Sequence, residues 1–186
     1  KKTYKAGIEL STICYLFTFH GLNKRQELIL KLLNHKLGVS SNSILFRKIR
    51  EEYGLAYDVY SDIDLSKYTK CLYIYIASSQ KNIPDVIRML DECLKGIKDG
   101  KIKFSKGIIC LMEKMMKTSI VEMLEDPYDL SDYAIHKVLD NEDINDYINN
   151  LNMISDITEE DIREVSNIVF NDPTIHILVP KFRKGE

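Results

Sequence analysis

The chain divides into two kinds of segment by the spacing of its hydrophobic residues. Short stretches are rich in β-branched and aromatic residues, and longer stretches repeat leucine, isoleucine or valine every three to four positions. The first pattern is typical of strands and the second of amphipathic helices. We therefore expect strands at residues 11–20, 55–63, 68–78 and 175–179, whereas residues 1–11 are polar and weakly patterned.

The helical spacing predicts several helices with recognisable ends. Asn23 and Thr158 are expected N-caps, and Thr158 opens a capping-box sequence. Gly38 and Gly54 are expected to close the first two helices as left-handed C-terminal glycines. The predicted helices cover about 23–38, 44–53, 83–97, 104–125, a further helix starting at Asp126-Pro127, a short helix within 140–152, and 158–169.

The order of these elements predicts the fold class. The strands at 55–63 and 68–78 are separated by the short segment 64–67, which suits an antiparallel hairpin. A hairpin combined with runs of helices indicates an α+β fold, with an antiparallel sheet covered by helices. Because no long linker divides the chain, we expect a single domain over residues 1–186. Since the first residue is Lys1 and not Met, we expect that domain to be a fragment of a longer chain.

Composition excludes several classes of protein. The 26 basic and 28 acidic residues give a net charge of −2 without a basic patch, so we expect no nucleic-acid partner. No apolar run approaches the roughly 20 residues of a membrane helix, so we expect no membrane insertion. Four cysteines are scattered without any CxxC pair, which is typical of reduced thiols in a cytoplasmic protein.

The common catalytic motifs are missing from the sequence. The zinc motif HxxEH needs two histidines on one helical face beside a glutamate, and none of His20, His35, His136 and His176 lies in such a motif. A zinc site assembled from distant segments stays open at this stage, although catalytic zinc sites usually take two ligands from one short segment. No GxSxG elbow and no glycine-rich phosphate loop is present.

The most informative segment is residues 42–61, NSILFRKIREEYGLAYDVYS. It resembles a run close to SSRLFxxIREKxGLAYSVYS in the pitrilysin/insulinase family of zinc metallopeptidases, which includes the mitochondrial processing peptidase. Residues 157–162 resemble the start of that family's late helix, and residues 175–180 resemble its final strand. One departure is that the family often has a glycine run before this segment, of which only Gly38 remains here.

The resemblance implies a role for two residues. In the family, the arginine and tyrosine that match Arg50 and Tyr57 bind substrate and stabilise the tetrahedral intermediate, facing a zinc site on another domain. From the residues themselves, Arg50 falls in the last turn of a helix, and Tyr57 falls early in the predicted strand, on the same side as Leu55 and Val59. That alternation predicts partial burial of Tyr57.

The function implied is that of the C-terminal domain of a zinc peptidase. This domain would hold peptide substrate and assist hydrolysis, while binding no cofactor itself. Zinc would lie on a partner domain or subunit that carries HxxEH. Two alternatives remain open, namely a non-catalytic scaffold member of the family and an unrelated α+β binding module. Aromatic stripes at Tyr73/Tyr75 and at Tyr15/Phe17/Phe19 could line a peptide chamber or fill the core.

Overall fold

The structure is a computed structural model and describes residues 1–154 and 156–181. A five-stranded sheet lies against a layer of helices. The strands are β1 Lys2–Lys5, β2 Ser11–Thr18, β3 Asp58–Asp64, β4 Cys71–Ser78 and β5 Thr174–Pro180. The α-helices are α1 Lys24–Asn34, α2 Ile83–Lys98, α3 Lys106–Glu125, α4 Pro127–Asp140, α5 Asp146–Ile154 and α6 Glu159–Val169. Two π-helical segments, His35–Val39 and Phe46–Glu52, and a 3₁₀ turn, Gln80–Asn82, lie between them.

The sheet confirms the predicted α+β class and adds one strand. Its strand order is β1-β5-β2-β4-β3, with antiparallel pairing everywhere except between β1 and β5, which are parallel. The sequence did not predict β1, because four residues are too few to show an alternation. The strand forms because β5 supplies its hydrogen-bonding partner from the far end of the chain.

The two faces of the sheet differ sharply in burial. Alternate residues of β2, β3, β4 and β5 enter one hydrophobic core together with α1, α2 and α6. The central strands supply Ile13, Tyr15, Phe17, Leu72, Ile74 and Ile76 to that core, each 0–1% exposed. The intervening positions lie on the opposite face, which we call the open face, and most of them are half-buried or exposed. Tyr60, Tyr75, Cys14 and His176 form one row across this face.

The first helix ends differently from the prediction. Asn23 caps α1 with a complete capping box, as expected, but α1 stops at Asn34 and continues as the π-helical segment His35–Val39. Gly38 lies inside that segment and does not adopt a left-handed conformation. A Cβ at Gly38 would lie 2.5 Å from the Ser61 backbone nitrogen. The position requires glycine for space, so its prediction as a C-terminal cap was wrong.

Helix starts with local capping chemistry were predicted correctly. Asp126 accepts hydrogen bonds from the Tyr128 and Asp129 backbone N–H groups at the start of α4. Thr158 and Asp161 form a reciprocal capping box at the start of α6. Gly100 follows α2 with φ 66°, a left-handed conformation that reverses the chain. In the described part of the chain, no helix is both long and apolar enough to cross a membrane.

Candidate functional site

Arg50 lies near the end of the π-helical segment Phe46–Glu52, on the surface. Its guanidinium carbon lies 4.8 Å from the centre of the Phe46 ring, which supports the side chain by a cation–π contact. Glu52 pairs with Lys48 at 3.1 Å and with Arg47 at 3.7 Å. Among the described residues, no carboxylate forms an ion pair with Arg50. Its hydrogen-bond donors therefore remain available to a ligand.

The turn after this segment is fixed by backbone hydrogen bonds. The Gly54 N–H donates to the Arg50 carbonyl at 3.1 Å, and the Leu55 N–H donates to the Ile49 carbonyl at 2.9 Å. Gly54 has φ 59°, which confirms the predicted left-handed glycine. The Leu55 carbonyl in turn accepts a hydrogen bond of 2.5 Å from the Ser78 hydroxyl, at the end of β4. The chain that connects the two candidate residues is thus tied to the sheet.

Tyr57 lies in a bend immediately before β3, not within the strand. Its N–H donates to the Ala77 carbonyl at 2.9 Å, and its side chain is 63% exposed. The predicted partial burial was wrong because β3 begins at Asp58, so strand alternation does not extend back to Tyr57. Val59 is buried as predicted. In the described part of the chain, no group hydrogen-bonds to the Tyr57 hydroxyl.

Both candidate residues therefore present unpaired donors to solvent from one short, well-anchored stretch of chain. No hydrogen bond or ring contact joins their side chains to each other in the described structure. A guanidinium can donate two parallel hydrogen bonds, and a phenol can donate one. Such donors can bind a peptide carbonyl and can stabilise the negative charge that develops on its oxygen during hydrolysis.

The aromatic stripes separate between the two faces of the sheet. Tyr15, Phe17 and Phe19 lie in the core, each at most 4% exposed. Tyr73 and Tyr75 lie on the open face, where Tyr60 joins them from β3. Tyr60 was not among the residues that the sequence indicated. The predicted pairing of the two hairpin strands, which brings Tyr60 beside the Tyr73/Tyr75 stripe, is the signal that could have identified it.

The four histidines lie apart in the structure. His176 contacts the Thr3 hydroxyl at 2.9 Å, and His136 lies 3.7 Å from Asp132 on α4. His20 is exposed and His35 is half-buried. Within residues 1–154 and 156–181, no group of three or more histidine, cysteine, aspartate or glutamate side chains is arranged to hold a metal ion.

Comparison with known proteins identifies the family. Residues 1–106, more than half of the chain, match the family model described as the peptidase M16 inactive domain. The chain belongs to the peptidase M16 family, as its inactive domain. This confirms the resemblance to the pitrilysin/insulinase zinc peptidases and excludes an unrelated α+β binding module.

Individual relatives support the same assignment of this M16 inactive domain. The chain is 34% identical over 127 residues to an uncharacterized zinc protease, YmxG, of Bacillus subtilis, covering 67% of this chain and 30% of that protein. A protease from Helicobacter pylori has the same fold, with a TM-score of 0.87 over 96% of this chain and 43% of that one, at 17% identity. A peptidase M16 inactive domain from Pseudomonas fluorescens gives a TM-score of 0.79 over 100% of this chain and 44% of that one, at 14% identity.

The M16 inactive domain is only part of the length of its relatives. It spans 18–30% of the curated zinc proteases that it matches. The matching relatives are zinc proteases, and the matched domain is described as the inactive one. Metallopeptidase activity is therefore a property of the family.

Proposed function

We propose that this M16 inactive domain binds peptide substrate and stabilises the transition state of peptide-bond hydrolysis for an HxxEH-bearing domain or subunit of the same family. The observation that carries the proposal is the exposure of Arg50 and Tyr57, whose side chains make no hydrogen bond or ion pair with other residues of the described chain and whose backbone is fixed by the Gly54 turn. Buried or internally paired side chains at these positions would argue against it.

In this proposal, the HxxEH-bearing domain or subunit would hold zinc, which would supply activation of the attacking water. Residues of this chain act on the peptide. The Arg50 guanidinium donates hydrogen bonds to a carbonyl of the bound peptide, and the Tyr57 hydroxyl donates to the oxygen that becomes negatively charged. Hydrogen bonds to a developing oxyanion are stronger than those to the neutral carbonyl, which is why such donors accelerate the reaction.

The free state of all four cysteines supports a reducing, cytoplasmic location in this proposal.

The test uses the full-length parent protein or the reconstituted complex. Arg50→Ala and Tyr57→Phe should each lower kcat/KM for peptide hydrolysis by about 10²–10³-fold, the typical effect of removing one oxyanion donor. Arg50→Lys should restore little activity, because an ammonium cannot reproduce the planar guanidinium fork. Metal analysis should show unchanged zinc content in every variant.

Arg47→Ala is the matched control, since Arg47 lies on the same π-helical segment but pairs with Glu52. It should retain nearly full activity. If the Arg50 and Tyr57 variants also keep full activity while folded and zinc-loaded, the domain is instead a non-catalytic scaffold of its family.

A further inference from the structure

Three tyrosines form a compact aromatic group on the open face, which we call the tyrosine cluster. Tyr60 stacks on Tyr75 with ring centres 4.9 Å apart and an interplanar angle of 24°. Tyr60 also meets Tyr73 edge-to-face, with ring centres 6.2 Å apart. Tyr60 is 37% exposed, so the cluster lies at the surface and not in the core. Tyrosine rings at a surface can bind cations through their π faces.

Carboxylates that form no ion pair with any lysine or arginine of the described chain surround the cluster. Asp58 and Asp62 flank Tyr60 on the same face of β3, and Asp64 ends the strand. Asp62 accepts a hydrogen bond of 3.1 Å from the Tyr73 hydroxyl. Elsewhere, carboxylates commonly pair with lysine or arginine, but in the described part of the chain none of these three does so. The backbone N–H of Ser66 holds the pKa of Asp64 below its usual range, which keeps this carboxylate charged.

The surface continues into a cleft between the edge strand β3 and α4. Its volume is about 680 Å³, within the range of roughly 300–1,000 Å³ typical of ligand pockets. Asp62, Asp64 and Asp140 contribute carboxylates to its lining, and Tyr73 and Tyr133 contribute rings. Lys31, Lys137 and His136 also line it. Lys137 is paired with Glu142, a fourth lining carboxylate, at 2.8 Å and with Asp146 at 2.9 Å. The lining carboxylates therefore outnumber the two lining lysines, Lys31 and Lys137.

We propose that the tyrosine cluster and the cleft beside it bind lysine and arginine side chains of the peptide substrate. This inference rests on the proposed function, and it names the class of peptide substrate that the tyrosine cluster and the cleft select. Aromatic rings attract cations, and carboxylates neutralise them. In the described part of the chain, no lysine or arginine lies over the rings of the tyrosine cluster or forms an ion pair with Asp58, Asp62 or Asp64. Within the cleft, Lys137 lies over the Tyr133 ring at 5.6 Å, and Lys70 and His136 attract Asp64 from a distance. The complementary occupant is therefore a basic side chain on an extended peptide.

The geometry also predicts where the basic residue lies in the substrate. Tyr57 immediately precedes β3, whereas Asp62 and Asp64 lie five and seven residues further along the chain. At about 3.3 Å per residue, an extended strand covers about 16–23 Å over that interval. A peptide that lies along the open face would need about five to seven residues to connect the carbonyl bound by Tyr57 to the cleft.

The test measures peptide binding by the full-length protein, so that it does not depend on hydrolysis. Zinc is removed by chelation, and fluorescence anisotropy compares labelled peptides with lysine or glutamine five to seven residues from the cleavage position, on either side. The wild type should bind the best lysine peptide about fivefold more tightly than its glutamine counterpart, as expected for an exposed cation–π contact plus a screened ion pair.

Variants assign the preference to this surface. Asp62→Asn keeps an acceptor for the Tyr73 hydroxyl and should abolish the lysine preference, and Asp62→Lys should reverse it in favour of a glutamate peptide. Asp85→Asn is the matched control, because Asp85 is an exposed carboxylate on α2 that pairs with Arg88 at 3.2 Å. It should leave the preference intact. Thermal melting verifies that each variant is folded.

Two results would overturn the inference: an equal affinity of the wild type for lysine and glutamine peptides, or a lysine preference that both Asp62 variants retain. Failure of the proposed function would show itself separately, as unimpaired hydrolysis by the Arg50 and Tyr57 variants. The two conclusions can therefore fail independently.

Discussion

Gly38→Ala tests how the edge of the sheet is held in place. The added methyl group would lie 2.5 Å from the Ser61 backbone nitrogen and 2.8 Å from Ser61 Cβ, and would also strike the Ser61 hydroxyl. Carbon atoms pack most favourably at about 3.5–4.0 Å. Either β3 or the π-helical segment must therefore shift by about 1 Å.

The cost can be worked from these contacts. Forced overpacking of this kind destabilises proteins by about 1–3 kcal/mol. Displacing Ser61 also weakens its buried hydrogen bond to Asn34 Oδ1, which is 2.6 Å long, and such a bond contributes about 0.5–1.5 kcal/mol. Alanine restricts the unfolded chain more than glycine does, and this effect alone would raise the free energy of unfolding by about 0.4–1 kcal/mol. We expect a net loss of about 2 kcal/mol in the free energy of unfolding.

Urea denaturation followed by circular dichroism measures this loss, and thermal melting should show a decrease in Tm of about 4–8 °C for a domain of this size. Gly96→Ala is the matched control, because a Cβ at Gly96 would meet only flexible side-chain atoms of Ile102, at 3.1 Å. Alanine favours the helix more than glycine does, and this gain should offset the close contact with Ile102. The stability of Gly96→Ala should therefore lie within about 0.5 kcal/mol of the wild type. Removing the Ser61 hydroxyl by Ser61→Ala should rescue Gly38→Ala only in part, since the backbone nitrogen remains. A Gly38→Ala protein as stable as the wild type would refute the steric explanation.

Two further predictions concern charge and thiol chemistry. Hydrogen bonds from Lys137 and Lys24 lower the pKa of Glu142 to about 2. The stabilisation of the folded state by the Glu142 carboxylate should therefore be fully present above pH 4.5 and lost as the pH falls toward 2. Glu142→Gln should therefore lower the free energy of unfolding by about 1 kcal/mol at pH 7, the upper range for a surface ion pair. Urea denaturation should also show that the stability of this variant depends less on pH below 4.5 than that of the wild type. An unchanged pH profile would contradict this prediction. Burial raises the pKa of the Cys93 thiol to about 11, whereas Cys110 is exposed. Thiol titration at pH 8 should find Cys110 reactive in the native protein and Cys93 reactive only after unfolding, and rapid native modification of Cys93 would show that α2 opens readily.

The sequence predicted features whose cause lies within a few residues. Asn23, Asp126 and Thr158 cap their helices because each side chain reaches backbone N–H groups two or three residues away. Gly54 is similar, because its left-handed turn closes onto Arg50 and Ile49 in the preceding segment. Local rules suffice for such positions.

Features that depend on distant partners were missed or misplaced. The role of Gly38 depends on Ser61, which arrives from β3, and the exposure of Tyr57 depends on where the pairing of β3 with β4 begins. The open face could be expected from strand alternation, but which aromatic stripe occupies it depends on the side that the helices cover. That choice is made by tertiary packing.

The placement of β5 between β1 and β2 has a consequence for the order of folding. The backbone nitrogen of Lys1 donates to the Ile175 carbonyl at 2.7 Å, and Lys5 lies opposite Pro180. During synthesis, β2, β3 and β4 can pair and pack against α1 and α2 first, while β1 waits for a partner more than 170 residues away. Closing so long a loop is slow. The edge of β2 that later receives β5 therefore stays unpaired during this interval, when it is most open to pairing with other chains.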